Sequence, residues 1–143
     1  MTKLLKSFGL MVVCSLVLSM AFLHVPTKCY GFDITIQVSP STLNIQSSGE
    51  VVTVHTSIAY SSVEGASVTL NGLEISWWKA DNQGNFVAKF EMTEVKALAD
   101  TGGLTVPGEN ELTLIGYTKD GAEFTGTQMI TVINVEPAGA GGR

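Results

Sequence analysis

From residue 32 onward, apolar and polar residues alternate along most of the chain, as they do in strands that bury one face. Ile34, Ile36 and Val38 would share one face of a first strand, which the Ser39-Pro40-Ser41 run ends. A longer alternation over residues 52–58 follows the turn signal at residues 47–49. This half of the chain therefore predicts antiparallel strands with short connections.

Two turn signals divide the middle of the chain. Asn71-Gly72 stands between two alternating segments and predicts a tight hairpin turn or a sharp corner. Residues 81–85 form a second turn cluster, after which Phe86, Ala88 and Phe90 would share one face of a strand. Residues 91–99 instead carry apolar groups at helical spacing, and Gly102 and Gly103 would end that helix. We expect one or two helical turns there, crossing an end of the fold.

The last third of the chain predicts two further strands. Residues 112–117 alternate up to the Lys119-Asp120-Gly121 turn, and a final strand runs from about residue 123 to 135. Apolar groups fall on both faces of that final strand, which predicts burial on both sides. Seven or eight strands at roughly ten-residue spacing predict an all-β fold. We expect an immunoglobulin-like antiparallel β-sandwich of seven or eight strands with a short helical crossover.

The first 31 residues have the organisation of an export signal. Lys3 and Lys6 precede an apolar run from Phe8 to Val25, and small residues at Cys29 and Gly31 suit cleavage after Gly31. The run of 18 residues is just long enough to cross a bilayer, so an uncleaved anchor is the alternative. We expect a signal peptide over residues 1–31 and a protein that is secreted or periplasmic, in the cell envelope.

The expected domain organisation follows from that boundary. Residues 32–135 are long enough for one sandwich domain, and residues 136–143 are a Gly-rich, flexible tail with little to bury. Both cysteines, Cys14 and Cys29, fall in the signal segment, so no disulfide is expected in the exported part. Membrane attachment is expected only through an uncleaved signal segment.

Charge narrows the range of partners. All thirteen acidic residues lie after residue 31 with five of the basic ones, which gives this part a net charge of −8. Such a charge repels phosphate backbones, and no Lys or Arg cluster offsets it. Nucleic-acid binding is therefore not expected.

The run Val38-Ser39-Pro40-Ser41-Thr42-Leu43-Asn44-Ile45 with Ser48-Gly49 is followed, in order, by motifs at residues 87–90, 112–116, 120–121, 124–126 and 130–133. In these motifs, over about residues 34 to 135, the chain resembles a family of immunoglobulin-like domains found in exported bacterial and archaeal proteins. The resemblance implies the sandwich fold and export, and it implies no catalytic site. The cysteine bridge and tryptophan pattern of antibody domains is absent, so antigen-receptor function is not implied.

The sequence contains few candidates for catalytic or metal-binding residues. His55 is the only histidine after residue 31 and lies within a predicted strand, without the signature of a hydrolase around it. Glu91 and Glu94 are spaced as solvated residues of a helix, and residues 81–85 lack the ligand spacing of a calcium loop. We therefore expect no enzyme activity, no metal and no cofactor.

Aromatic residues are the best candidates for binding. Neighbours on a strand point to opposite faces, so Trp77 and Trp78 cannot both enter one core layer. Alternation with Leu73 and Ile75 predicts that Trp77 is the inner tryptophan and Trp78 the outer one. Trp78, with Tyr60 and Tyr117, is the predicted ligand-binding set.

Two classes of function fit these observations. The favoured one is a non-catalytic structural or protein-interaction module of the cell envelope, and the alternative is a carbohydrate-binding accessory module that uses an exposed tryptophan. The expected partner is a protein or a cell-surface glycan. The sequence indicates neither an oligomeric state nor a particular ligand.

Overall fold

The alternating segments form two facing β-sheets in the computed structural model of the protein, which describes residues 31–138. The predicted signal segment lies outside the described residues except for Gly31, and so do residues 139–143 of the predicted tail. Within 31–138 no helix is long and apolar enough to cross a membrane.

The strands are β1 Phe32–Asp33, β2 Ile36–Ser39, β3 Thr42–Asn44, β4 Val51–Ala59, β5 Val63–Leu70, β6 Leu73–Glu74, β7 Trp77–Ala80, β8 Asn85–Glu91, β9 Gly108–Thr118 and β10 Glu123–Ile133. Sheet A has the order β1-β10-β9-β5-β6, with β3 also paired to β10, and sheet B has the order β2-β4-β8-β7. The fold is therefore an all-β sandwich, and one helix, α1 (Met92–Asp100), connects β8 in sheet B to β9 in sheet A.

The described residues form ten strands rather than seven or eight because two segments of the chain are divided between the sheets. Residues 32–44 form the three short strands β1, β2 and β3, of which β1 and β3 pair in parallel with β10 while β2 pairs with β4. Close packing of β2 on β10 requires Gly126, where an added Cβ would lie 2.5 Å from Ile36 Cγ2. The segment after the Asn71-Gly72 turn becomes β6 in sheet A and β7 in sheet B.

The core consists of inward side chains from both sheets. Alternating exposure along β4 and β9 places one apolar face of each strand inside and one polar face outside. The largest fully buried side chains are Phe86, Phe90, Phe124, Leu43, Leu70, Leu112 and Leu114.

Both predicted turns are confirmed. Asn71 and Gly72 have positive φ angles of 47° and 84° and join β5 to β6, as a primed two-residue turn requires. Asp81 organises the turn between β7 and β8, because its Oδ1 accepts hydrogen bonds from the backbone N–H groups of Gln83 at 2.8 Å and Asn85 at 2.9 Å.

The predicted helix is confirmed as α1, Met92–Asp100. Its buried residues, Met92 and Val95, pack against the core, and Met92 N–H donates to the carbonyl of Glu50 at 2.9 Å. After the helix, Gly103 N–H donates back to the carbonyl of Leu98 at 2.7 Å. The helix therefore covers one end of the sandwich while the chain changes sheets.

The expectation that β10 is buried on both faces is wrong. Phe124, Ile130 and Val132 point into the core, but Met129 on the other face is 51% exposed. No described element covers the outer face of sheet A, so apolar residues there remain in contact with solvent.

Candidate binding surface

A β-bulge at the start of β7 decides how the two tryptophans are oriented. Lys89 is the register partner of Trp77, yet Ser76 N–H, just before β7, also donates to the Lys89 carbonyl at 2.9 Å. Two consecutive residues, Ser76 and Trp77, therefore oppose one residue of β8. The extra residue interrupts the alternation that continues from Leu73 and Ile75. The prediction that Trp77 is the inner tryptophan is therefore wrong.

Trp78 points between the sheets. Its register partner is Ala88, which is fully buried, and its indole lies on Gly65 of β5 in the opposite sheet. A Cβ added to Gly65 would be 2.2 Å from Trp78 Cε2 and 2.5 Å from Nε1, so only glycine leaves room for the ring. Trp78 is 37% exposed because it closes the open side of the sandwich rather than entering its centre.

Trp77 points to the outer face of sheet B and is 45% exposed. Lys89 Nζ lies over its ring at 4.9 Å from the centroid and donates to Thr53 Oγ1 at 3.1 Å. Val87 of β8 lies between Lys79 and His55, its register partners on the two neighbouring strands. Its side chain is fully buried although it does not belong to the core cluster. The outer face of sheet B thus carries an aromatic and cationic surface, which is formed by Trp77, Lys79 and Lys89.

The other two predicted ligand-binding residues lie elsewhere. Tyr60 is in the 3₁₀ turn Tyr60–Ser62 between β4 and β5, where its ring stacks on that of Phe86 at 6.2 Å between centroids. Tyr117 is on the outer face of sheet A, and its hydroxyl donates to Glu123 at 2.9 Å. Trp78 thus lies between the sheets, Tyr60 packs on Phe86, and Tyr117 lies on the outer face of sheet A.

The edge of sheet B at β7 carries backbone groups without a strand to pair with. Asp81 N–H donates to the Asn85 carbonyl at 2.9 Å, and in an antiparallel ladder paired and unpaired positions alternate. Lys79 and Trp77 therefore pair with β8, while the N–H and C=O groups of Trp78 and Ala80 point away from it. All four residues of β7 are exposed, and no described strand lies beyond them.

The opposite edge of sheet B is blocked by the protein itself. Ser57 N–H donates to the Thr35 carbonyl at 3.0 Å, so by the same alternation Val38 N–H points outward from β2. The side chain of Gln128 from β10 accepts a hydrogen bond from this N–H at 2.7 Å. The two edges of sheet B therefore differ, because β2 is capped and β7 is open.

The polar candidates have structural partners or lie on open surface. His55 lines a shallow groove of about 530 Å³ on the outer face of sheet B, with Gln37, Ser57 and the turn at Asp81. Glu91 accepts a hydrogen bond from Ser76 Oγ at 2.9 Å, and Glu94 lies in the first turn of α1. In the part of the chain that the structure describes, no group of three or more His, Cys, Asp or Glu residues could hold a metal ion.

Comparisons with known proteins give one structural similarity. No protein-family model matches the chain, and no curated protein matches it. A solved structure described as bearing on host cell surface retention of a 1.5-MDa bacterial ice-binding adhesin matches with a TM-score of 0.43 and 17% identity. The match covers 77% of this chain and 34% of that one, so this chain spans about a third of the solved chain.

Proposed function

We propose that the protein is an exported, non-catalytic interaction module of the cell envelope that binds a partner protein by strand addition at β7. The observation that carries this proposal is the difference between the two edges of sheet B. An extended partner segment would pair with the unpaired N–H and C=O groups of Trp78 and Ala80. At β2 the side chain of Gln128 already occupies the outward N–H of Val38, and a partner strand would have to displace it.

The side chains of β7 add to the backbone groups at this edge. Trp77 offers an exposed ring on the outer face, and Trp78 offers the edge of its indole between the sheets. Large aromatic side chains contribute much of the binding energy at protein interfaces. A partner strand would therefore gain hydrogen bonds and apolar contacts from the same four residues.

Lys79 favours a partner other than a second β7. Two copies of β7 that paired antiparallel through Trp78 and Ala80 would place Lys79 opposite Lys79 of the other copy, which is unfavourable. An extended segment with Asp or Glu at that position would pair with Lys79 instead. The preferred partner is thus a different chain with a carboxylate at the centre of its extended segment.

The order of the strands supports the proposal that the sandwich is of the immunoglobulin type. Sheet B, β2-β4-β8-β7, has the connectivity of the ABED sheet of immunoglobulin-type sandwiches, and β5, β9 and β10 of sheet A correspond to the CFG sheet. This order agrees with the resemblance to immunoglobulin-like domains of exported proteins. Such domains present edges and loops on a rigid scaffold, which suits an interaction module.

Site-specific photo-crosslinking in the native cell tests the proposal. A photo-reactive residue in place of Asn82, in the exposed turn directly after β7, should give discrete adducts with a partner protein. Ala80→Pro, which removes one unpaired N–H, should reduce their yield at least roughly fivefold. The same reactive residue in place of Gln37, on the capped edge of the same sheet, is the control. Adducts that are equal at both edges, or that survive Ala80→Pro, would contradict strand addition at β7.

A further inference from the structure

Charged residues are segregated between the two sheets. The strands of sheet A contain no Lys or Arg, whereas Lys79 and Lys89 both belong to strands of sheet B. The six acidic residues of the sheet A strands are Asp33, Glu64, Glu74, Glu109, Glu111 and Glu123. The strands of sheet B contain a single acidic residue, Glu91, at the end of β8.

All six carboxylates lie on the outer face of sheet A. Glu64 and Glu123 are the register partners of Tyr117 on either side, and Glu111 is the partner of Met129. Tyr117 is 44% exposed and Met129 is 51% exposed. This face therefore has exposed apolar groups at its centre and negative charges around them, which is the usual arrangement of an interface.

The outer face of sheet B is complementary to that face. Trp77 is its exposed aromatic group, Lys79 and Lys89 flank it, and Glu91 at the end is hydrogen-bonded to Ser76. The aliphatic parts of the lysine side chains extend the apolar area around the indole. The outer face of sheet B thus carries positive charges and an exposed indole, which complement the negative charges and exposed apolar groups on the outer face of sheet A.

We propose that copies of this chain associate face to face, with the outer face of sheet B of one copy on the outer face of sheet A of the next. The two faces differ, so the contact is heterologous and each pair leaves one further face of each kind free. The product is an open row of subunits rather than a closed dimer. This proposal does not require strand addition at β7, because it needs no backbone hydrogen bonds at the edge, although Trp77 and Lys79 contribute side chains to both surfaces.

The size of the faces indicates a weak interaction. The strands of sheet B contain 4, 9, 7 and 4 residues. With a rise of about 3.3 Å per residue and about 4.8 Å between strands, they give roughly 380 Å² for each face, or roughly 760 Å² in total. That area is typical of weak, transient contacts rather than of stable interfaces. The net charge of −8 after residue 31 also opposes association at long range. We expect association only at about 100 μM or above.

Sedimentation velocity of the full chain, as recovered from expression, tests this proposal with two complementary variants. Trp77→Ser with Lys79→Glu alters the outer face of sheet B, called face B. Glu64→Lys with Glu111→Lys alters the outer face of sheet A, called face A. The unmodified chain should show a weight-average mass that rises with concentration, and each variant alone should weaken association at least roughly tenfold. Lys119→Glu is the matched control, because it makes the same charge change outside both faces.

A mixture of the two variants gives the decisive result. The face B variant keeps an intact face A, and the face A variant keeps an intact face B, so the mixture should recover the association that each variant alone has lost. Circular dichroism confirms that each variant is folded, and Lys79→Glu alone replaces the double variant if it is not. A monomer at all concentrations, or association that both variants retain, would overturn the proposal.

Discussion

The indole of Trp78 lies directly on Gly65, so that β7 of sheet B touches β5 of sheet A through an aromatic ring and a backbone Cα. No other residue at position 65 leaves space for the ring, since an added Cβ would come within 2.2 Å of it. This contact closes the side of the sandwich next to the open β7 edge. The position of that edge therefore depends on a glycine in the opposite sheet.

Gly65→Ala should destabilise the protein by about 1–3 kcal/mol, because the new methyl group overlaps the Trp78 ring and either the ring or β5 must move. Urea denaturation measures the change. In the Trp78→Ala background the same substitution should cost much less, since the overlapping ring is gone. Equal costs in the two backgrounds would show that the ring does not rest on Gly65.

Trp78→Ala and Trp77→Ala should differ although both indoles are partly exposed. Trp78 packs between the sheets, so its loss should cost about 2 kcal/mol of unfolding free energy. Trp77 contacts Lys89 on the outer face, so its loss should cost about 1 kcal/mol or less. Denaturation of the two variants under the same conditions checks the order, and a larger cost for Trp77→Ala would contradict these orientations.

Much of this fold could be predicted from the sequence because the relevant signals are local. The alternation of apolar residues predicted most strands, the Asn71-Gly72 pair predicted a hairpin turn, and helical spacing predicted α1. The orientation of Trp77 and Trp78 could not be predicted, because it depends on a bulge at Ser76 that forms against Lys89 of another strand. Alternation along one segment carries no information about such a partner.

Asp81→Ala should destabilise the turn between β7 and β8 by about 1 kcal/mol, because two backbone N–H groups lose their acceptor. Asn82→Ala, in the same exposed turn, should be close to neutral. Thermal unfolding compares the two variants. Equal melting temperatures would mean that the Asp81 hydrogen bonds contribute little.

Asn110→Ala should destabilise the protein by about 2–3 kcal/mol. The buried Asn110 side chain accepts from Thr105 N–H at 2.6 Å and donates to the carbonyls of Thr105 at 2.9 Å and Gly108 at 3.3 Å. These bonds hold the loop that enters β9. Glu109→Ala, at the exposed neighbouring position, is the control, and a similar loss in both variants would contradict this role.

The candidate surface was harder to predict than the fold for a related reason. Lys79 and Ala80 carry no sequence signal of binding, and their importance comes from their place at the end of a sheet order that only the tertiary structure defines. Likewise, the acidity of the chain was visible in the sequence, but its concentration on sheet A follows from which strands pair. Local patterns do not specify pairing between strands distant in sequence.

Amide hydrogen exchange of β7, followed by NMR with and without an extract of the native cell envelope, tests strand addition most directly. In the isolated protein the amides of Trp77 and Lys79 should be protected, while those of Trp78 and Ala80 should exchange rapidly. The extract should slow exchange at Trp78 and Ala80 at least roughly tenfold, because a partner strand occupies both amides. Protection of these two amides in the isolated protein, or exchange that the extract leaves unchanged, would contradict an open edge that binds a partner.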